Sequence, residues 1–311
     1  MVEELQLHFV RHGQVHNPRA VFYGRLPRFR LSDAGRAEAQ CAGEHLAMSA
    51  PPLTALLCSP MLRARQTAAA VAAGQLERAP RRLSSASASA SAAACPVPSV
   101  QVEAALNECL TPASEGLPLA LLAKRGWSSI YDGGDEPGGG GSAGGGAAAR
   151  AGHERFEDVF ERVAGLAGRL LARHGRVNSG GGAAPHVACV THGDCVFSAL
   201  LLGLGLPGTR AAKDEHDHLY LETASAVSLR LRRARDTKRG FVVVRCGRWD
   251  NPRSARGSHS GNAGEAAACA QARPTAAADR TQQSRQVSLP RAAARKQESR
   301  GTKRKHVTGQ F

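Results

Sequence analysis

An α/β layered fold is the class this sequence predicts, and two observations predict it. Short apolar runs of strand character alternate along the chain with longer stretches of helical character, the pattern that stacks a sheet between helical layers. Two of those strands end alike, in Arg11-His12-Gly13 and in Thr191-His192-Gly193. Ligands bind at the strand ends of such sheets, so the second observation bears on function as well as on fold.

The elements follow in chain order. Leu5-Gln6-Leu7-His8-Phe9-Val10 alternates with the period of a strand and runs into Arg11-His12-Gly13. After a loop of Pro, Tyr and Gly, residues 33–48 read as a helix, capped by Ser32 or Asp33 and stopped by Pro51-Pro52. Leu53 to Cys58 is the second strand. Ser59 and Pro60 supply an N-cap and a first-turn proline for a helix that runs to about Glu77.

Residues 84–99 are mostly Ser and Ala, ending in prolines, and lack the large side chains that offset ordering entropy. A flexible insertion is expected there, and a second in the Gly- and Ala-rich residues 133–152. Phe156, Val159, Phe160, Val163, Leu166, Leu170 and Leu171 recur at helical spacing, so 153–173 is an amphipathic helix. A strand at 187–191 leads through Thr191-His192-Gly193-Asp194 to an apolar helix ending near Gly203. Val227–Leu231 and Phe241–Val244 are the last strands. A folded domain is expected over 1–249, and residues 250–311 read as a basic, disordered tail.

Charge and cysteine usage narrow the class. The net charge is +15, but residues 250–311 hold 12 Lys and Arg against 4 Asp and Glu, about half of the excess. An anion site in the folded part therefore has to come from particular arginines rather than from bulk charge. The tail lacks aromatics interleaved with its basic residues for base stacking. Its expected partnership is weak contact with nucleic acid or another anionic surface, and Lys303-Arg304-Lys305-His306 is a short run of the nuclear-import type. Eight cysteines are scattered without a CxxC pair, and Cys58, Cys189 and Cys246 read as buried free thiols of a reducing compartment. No secretory signal is evident at the amino terminus. His192 and Asp194 interrupt the most apolar stretch, near 187–207, which excludes a membrane span there. The expected location is the cytoplasm, and the sequence leaves the oligomeric state open.

The chemistry concentrates at strand ends. Ser59-Pro60-Met61-Leu62-Arg63 follows the second strand and puts Arg63 in the first turn of a helix, next to a helix N-terminus that favours an anion. Arg11 and Arg63 suit bidentate hydrogen bonding to a phosphoryl group. A neutral histidine is a nucleophile at neutral pH, since its pKa is about 6.5. Phosphoryl transfer to or from an alcohol also requires an acid to protonate the leaving oxygen, and composition does not select it. Asp194 reads as a helix-start cap. Asp214-Glu215-His216-Asp217-His218 has no metal-site spacing and reads as a solvated loop.

Arg11-His12-Gly13-Gln14, Asn17, Tyr23-Gly24-Arg25, Leu31-Ser32-Asp33-Ala34-Gly35, Ser59 to Ala68 and Thr191-His192-Gly193-Asp194, taken in order, resemble the first, phosphoglycerate mutase-like branch of the histidine phosphatase superfamily. The resemblance runs from about Leu5 to Leu231, and Tyr23 to Pro27 and Glu222 to Ser228 are similar to bacterial broad-specificity phosphatases. It implies a three-layer sandwich: a mostly parallel mixed sheet, helices on both faces, and a small lid-like insertion. It implies phosphorylation of His12, with Arg11, Asn17, Arg63 and His192 around the phosphate. Leu106-Asn107-Glu108 resembles the segment that carries the acid, which points to Glu108 as proton donor and then as activator of water. No metal and no cofactor are implied. Substrates are phosphorylated small molecules or phosphoproteins.

The departures matter. The Gly and Trp-Glu-Gly pattern expected after the acid is missing, Cys109 to Glu115 is irregular, and Glu103 and Glu115 compete with Glu108. The substrate-handling segments of a mutase are absent. Hydrolysis is the expected activity, with mutase-like phosphoryl transfer and a non-catalytic phosphate-binding module as alternatives.

Overall fold

The computed structural model describes residues 2–83, 98–132, 152–178 and 183–254, all within the unit Met1–Arg280. The core of each expected insertion, 84–97 and 133–151, and the basic tail from 255 lie outside the described residues.

Strand β1 (Val2–Arg11) is flanked on one edge by β5 (His186–Thr191) and on the other by β6 (Ala226–Arg233). The sheet runs β3-β2-β5-β1-β6-β7, with β2 at Leu53–Cys58, β3 at Val100–Val102 and β7 at Phe241–Trp249. The β3-β2-β5-β1 side is parallel. The β6 and β7 pairings are antiparallel, as is short β4 (Arg176–Asn178) against the start of β1. The layered mixed-sheet fold is therefore the one the sequence predicts.

Period-two alternation builds the layers. Leu5, Leu7 and Phe9 of β1, with Val187 and Cys189 of β5 and Val227, Leu229 and Leu231 of β6, pack on one face. That face is covered by α4 (Phe156–His174), whose apolar stripe is wholly buried, and by α5 (Gly193–Leu204). Val10, Leu56, Cys58, Ala188 and Val190 point the other way, onto α1 (Asp33–Ser49) and α2 (Leu62–Leu83). Ser32 caps α1 by accepting from the Gly35 amide.

Several expectations are corrected. Helix α2 starts at Leu62, because Ser59 and Pro60 remain in the strand-to-helix turn, where the Ser59 hydroxyl makes another contact described below. The region between the insertions holds α3 (Leu119–Arg125) and short 3-10 turns at Ala104–Leu106, Pro112–Ser114 and Trp127–Tyr131. Asp214 to His218 is helical rather than looped: α6 covers Arg210–Glu215, capped by Thr209, and a 3-10 turn follows at Asp217–Leu219. The fold also continues past residue 249. Asn251 is buried, and its amide donates to Glu38 O at 2.9 Å. No helix among the described residues is long and apolar enough to cross a membrane. The six cysteines among them, including Cys58, Cys189 and a half-buried Cys246, are free thiols.

One polar group is sealed into the sheet face far from the strand ends. His8 is buried, with Nδ1 2.8 Å from Ser228 Oγ and Nε2 2.9 Å from His186 Nδ1. Burial, then the nearby His186 and His45, hold its pKa down to about 3. The unfolded chain takes up this proton near pH 6.5 and the folded chain does not, so stability is lost as pH falls below 6.5 towards 3. Thermal melts should show a loss on the order of 2–3 kcal/mol from pH 6.5 to 4, and a smaller loss in His8→Gln. Identical acid profiles would rule His8 out as the cause.

Candidate active site

Strand register assembles the site. Arg11 pairs with Thr191 across β1 and β5, so the next residue of each strand, His12 and His192, emerges beside the other. Their ring centroids are 5.2 Å apart at 65°. Cys58 pairs with Val190, which brings Ser59 alongside, and its Oγ lies 2.7 Å from His192 Nε2. The glycine after each histidine is required by crowding. A Cβ on Gly13 would lie 2.3 Å from Gly35 O, and one on Gly193 2.0 Å from the Tyr220 hydroxyl.

His12 is oriented and kept neutral. Its Nδ1 lies 2.8 Å from Gly13 O, a carbonyl that can only accept, so the proton sits on Nδ1. The Nε2 lone pair accepts from Arg63 Nε at 3.2 Å. Burial, then the Arg63 and Arg11 charges, hold the His12 pKa well below its ordinary value. Burial acts first on His192 as well, followed by Arg63 and His12, in the same direction.

Arg63 is fully buried from the first turn of α2, under the Tyr23 ring at 4.7 Å, and its Nη2 donates to Gly24 O at 2.7 Å. Arg11 lies over the Tyr220 ring at 5.2 Å and donates through Nη1 to Leu221 O. Arg11 Nε and His192 Nδ1 are buried without hydrogen-bond partners. Leaving such groups unpaired costs about 1–3 kcal/mol each, and a bound oxyanion would offer them an acceptor.

Glu108 reaches the same point, with Oε2 3.4 Å from His192 Nδ1 and 3.6 Å from Arg63 Nη2. Its side chain is 14 % exposed. Burial first, then the Asp194 carboxylate, raise its pKa to about 7, against the opposing pull of Arg63. The competing carboxylates are engaged elsewhere. Glu103 Oε1 caps a 3-10 turn through the Ala105 amide at 2.9 Å, and Glu115 Oε1 accepts from the Arg25 amide at 2.5 Å. Asn17 lies in the loop after β1, where both ends of its amide bond the Val21 backbone, at 2.7 and 3.2 Å. The structure thus brings together Arg11, His12, Arg63, Glu108 and His192, while Asn17 closes a turn within its own loop.

Asp194 is not the cap of α5, whose N-cap position is His192. Its buried carboxylate accepts from Tyr131 Oη at 2.5 Å and Tyr220 Oη at 3.1 Å. Sequence reasoning also missed Ser59, Tyr220 and the Gly24 carbonyl. Ser59 was legible as the residue after β2, but Tyr220 follows a 3-10 turn with no periodic signal.

His12, Glu108 and His192 offer one donor atom each within 4.8 Å of one another, a spacing open to a metal ion. Two guanidiniums oppose that use. Arg63 stands 3.2 Å from His12 and 3.6 Å from Glu108, so a dication there would meet a fixed positive charge. The donor set fits an anion.

Known proteins share part of this sequence and the fold. Residues 7–84 match the model of the histidine phosphatase superfamily (branch 1). An uncharacterized Mycobacterium tuberculosis protein, Rv0525, is 49% identical over 73 residues, 24% of this chain and 35% of its own. The match thus spans about a third of that curated relative. Among solved structures, mycobacterial hydrolase 2 is similar with a TM-score of 0.55 at 22% identity, covering 83% of this chain and 94% of its own. A mycobacterial glucosyl-3-phosphoglycerate phosphatase in complex with VO3 gives 0.53 at 23%, covering 79% and 99%. At these identities the structures speak to the fold alone. The match to the histidine phosphatase superfamily (branch 1) thus covers residues 7–84, the segment that carries Arg11, His12 and Arg63.

Proposed function

We propose that this chain is a metal-independent phosphomonoester hydrolase that works through a phosphohistidine on His12. The observation that carries the reading is a buried cluster in which two guanidiniums, an Arg11 Nε with no hydrogen-bond partner and the His192 Nδ1 that faces Glu108 surround a neutral His12. Arg11, Arg63 and His192 hold the phosphoryl oxygens, and Asn17 joins them by exchanging a Val21 bond for the ligand. His12 Nε2 attacks phosphorus, and the bond from phosphorus to the ester oxygen breaks. Glu108, protonated near neutral pH, gives its proton to that oxygen. The resulting carboxylate then takes a proton from water as the water attacks phosphohistidine, releasing phosphate and restoring both groups. The phosphohistidine carries positive charge, which the Gly13 carbonyl at Nδ1 offsets.

The test is phosphate release without added metal, with chelator, from sugar phosphates, phosphoglycerates, nucleotides, phosphopeptides and an aryl phosphate. Glucosyl-3-phosphoglycerate belongs in the panel because a fold neighbour is named for it. Chelator-resistant release from at least one ester is expected. Release abolished by chelation, or isomerisation of 3-phosphoglycerate without free phosphate, would contradict the reading.

A further inference from the structure

We propose that Arg25, Glu154 and Arg162 form a clamp that positions Glu108 over the phosphate pocket; this rests on the acid role assigned to Glu108 above. The segment that carries Glu108 needs such a device. After the 3-10 turn Ala104–Leu106 it belongs to neither a helix nor the sheet until Pro112, so no ladder of backbone bonds fixes the carboxylate.

Side chains hold it instead, at nearly every residue. Arg162 Nη1 donates to Ala105 O at 2.7 Å, and Thr191 Oγ1 donates to Leu106 O at 2.6 Å. Cys195 Sγ donates to Asn107 O at 3.3 Å. Arg25 Nε donates to Glu108 O at 2.7 Å, and Glu154 Oε2 accepts from the Leu110 amide at 2.8 Å. The Glu154 amide in turn donates to Leu110 O at 2.7 Å.

Glu154 joins the two arginines. Its Oε2 accepts from Arg25 Nη2 at 2.8 Å and its Oε1 from Arg162 Nε at 2.9 Å. All three side chains are partly buried, so the carboxylate keeps two like charges together where water screens them weakly. Without it, both guanidiniums lose their shared acceptor and repel one another.

The clamp also ties the acid to the phosphate side of the pocket. Arg25 follows Gly24, whose carbonyl accepts from Arg63 Nη2 at 2.7 Å. Two consecutive residues thus fix Arg63 through a carbonyl and Glu108 through a side chain. The distance from phosphate to proton donor is set between them. Arg25 uses Nε for Glu108 and Nη2 for Glu154, two bonds in a fixed fork that a lysine cannot reproduce.

The experiment compares Arg25→Lys and Glu154→Gln with wild type, His12→Ala and Glu108→Gln, on an alkyl phosphate and on an activated aryl phosphate. Displacement of the acid by about an ångström should lower kcat on the alkyl ester by roughly 10- to 100-fold. The aryl ester, whose leaving group needs no proton, should lose less than about 3-fold, and KM should change little on either. A clamp that only stabilises the fold would lower the melting temperature and affect both esters equally. Equal losses on the two esters, or wild-type rates on both in a folded variant, would overturn the clamp and leave the phosphatase reading standing. A wild-type chain silent on both esters would overturn the reading and the clamp together. If Arg25→Lys does not fold, Glu154→Gln, which keeps an acceptor for the Leu110 amide, decides.

Discussion

His12→Ala should abolish phosphate release, with a fall on the order of 10⁴-fold or more, because no other group in the pocket can take over the attack. Glu108 has its carboxyl proton assigned to the leaving oxygen. His192 has Nε2 engaged by Ser59, 2.7 Å away. The same substitution is mild for the fold. The His12 ring bonds mainly to its own neighbour, Gly13, and its loss leaves Arg63 Nε without an acceptor, a cost of about 1–3 kcal/mol. The signature is therefore a folded protein, with a modestly lowered melting temperature, that releases no phosphate. Sustained turnover by His12→Ala would remove His12 from the reaction.

Glu108→Gln should separate substrates by leaving group. A general acid contributes about 10²- to 10⁴-fold, so alkyl esters should lose that much and aryl esters far less. The pH profile gives a second signature. Because burial and Asp194 raise the Glu108 pKa to about 7, kcat/KM for an alkyl ester should fall as pH rises through 7, where the free enzyme loses the donor proton. That descending limb should vanish in Glu108→Gln. Uniform losses on both ester types, with the limb retained, would assign the proton to another group.

The two strand-end histidines were legible because the alternation of β1 and the continuous apolar run of β5 reach right up to them, and parallel register then makes neighbours of residues 180 apart in sequence. Arg63 was legible for a related reason: an arginine near a helix start is an unfavourable placement unless an anion shares it. Residues that act across the fold from irregular segments were not legible. Tyr220 and Tyr131, which hold Asp194, each follow or close a 3-10 turn, where hydrophobic periodicity carries no information. Arg25 and Glu154, 129 residues apart, meet only because separate loops converge on the Glu108 segment. The polar cluster Asp214 to His218 misled as a loop because the helix formed there is short and its stability comes from the Thr209 cap and from packing. Asn251 lies in a segment whose composition is that of the tail, yet it is fixed by three hydrogen bonds, to Glu38, Ala224 and Ser225.

The most direct measurement of the central claim is to trap the intermediate. The chain is mixed with a phosphate ester, quenched within a turnover under alkaline denaturing conditions that preserve phosphohistidine, and mapped by peptide mass spectrometry. The account predicts one added phosphoryl group on the peptide containing His12, present in wild type and absent from His12→Ala. Phosphate release without any phosphorylated peptide, or a phosphoryl group on His192 or on another residue, would contradict it.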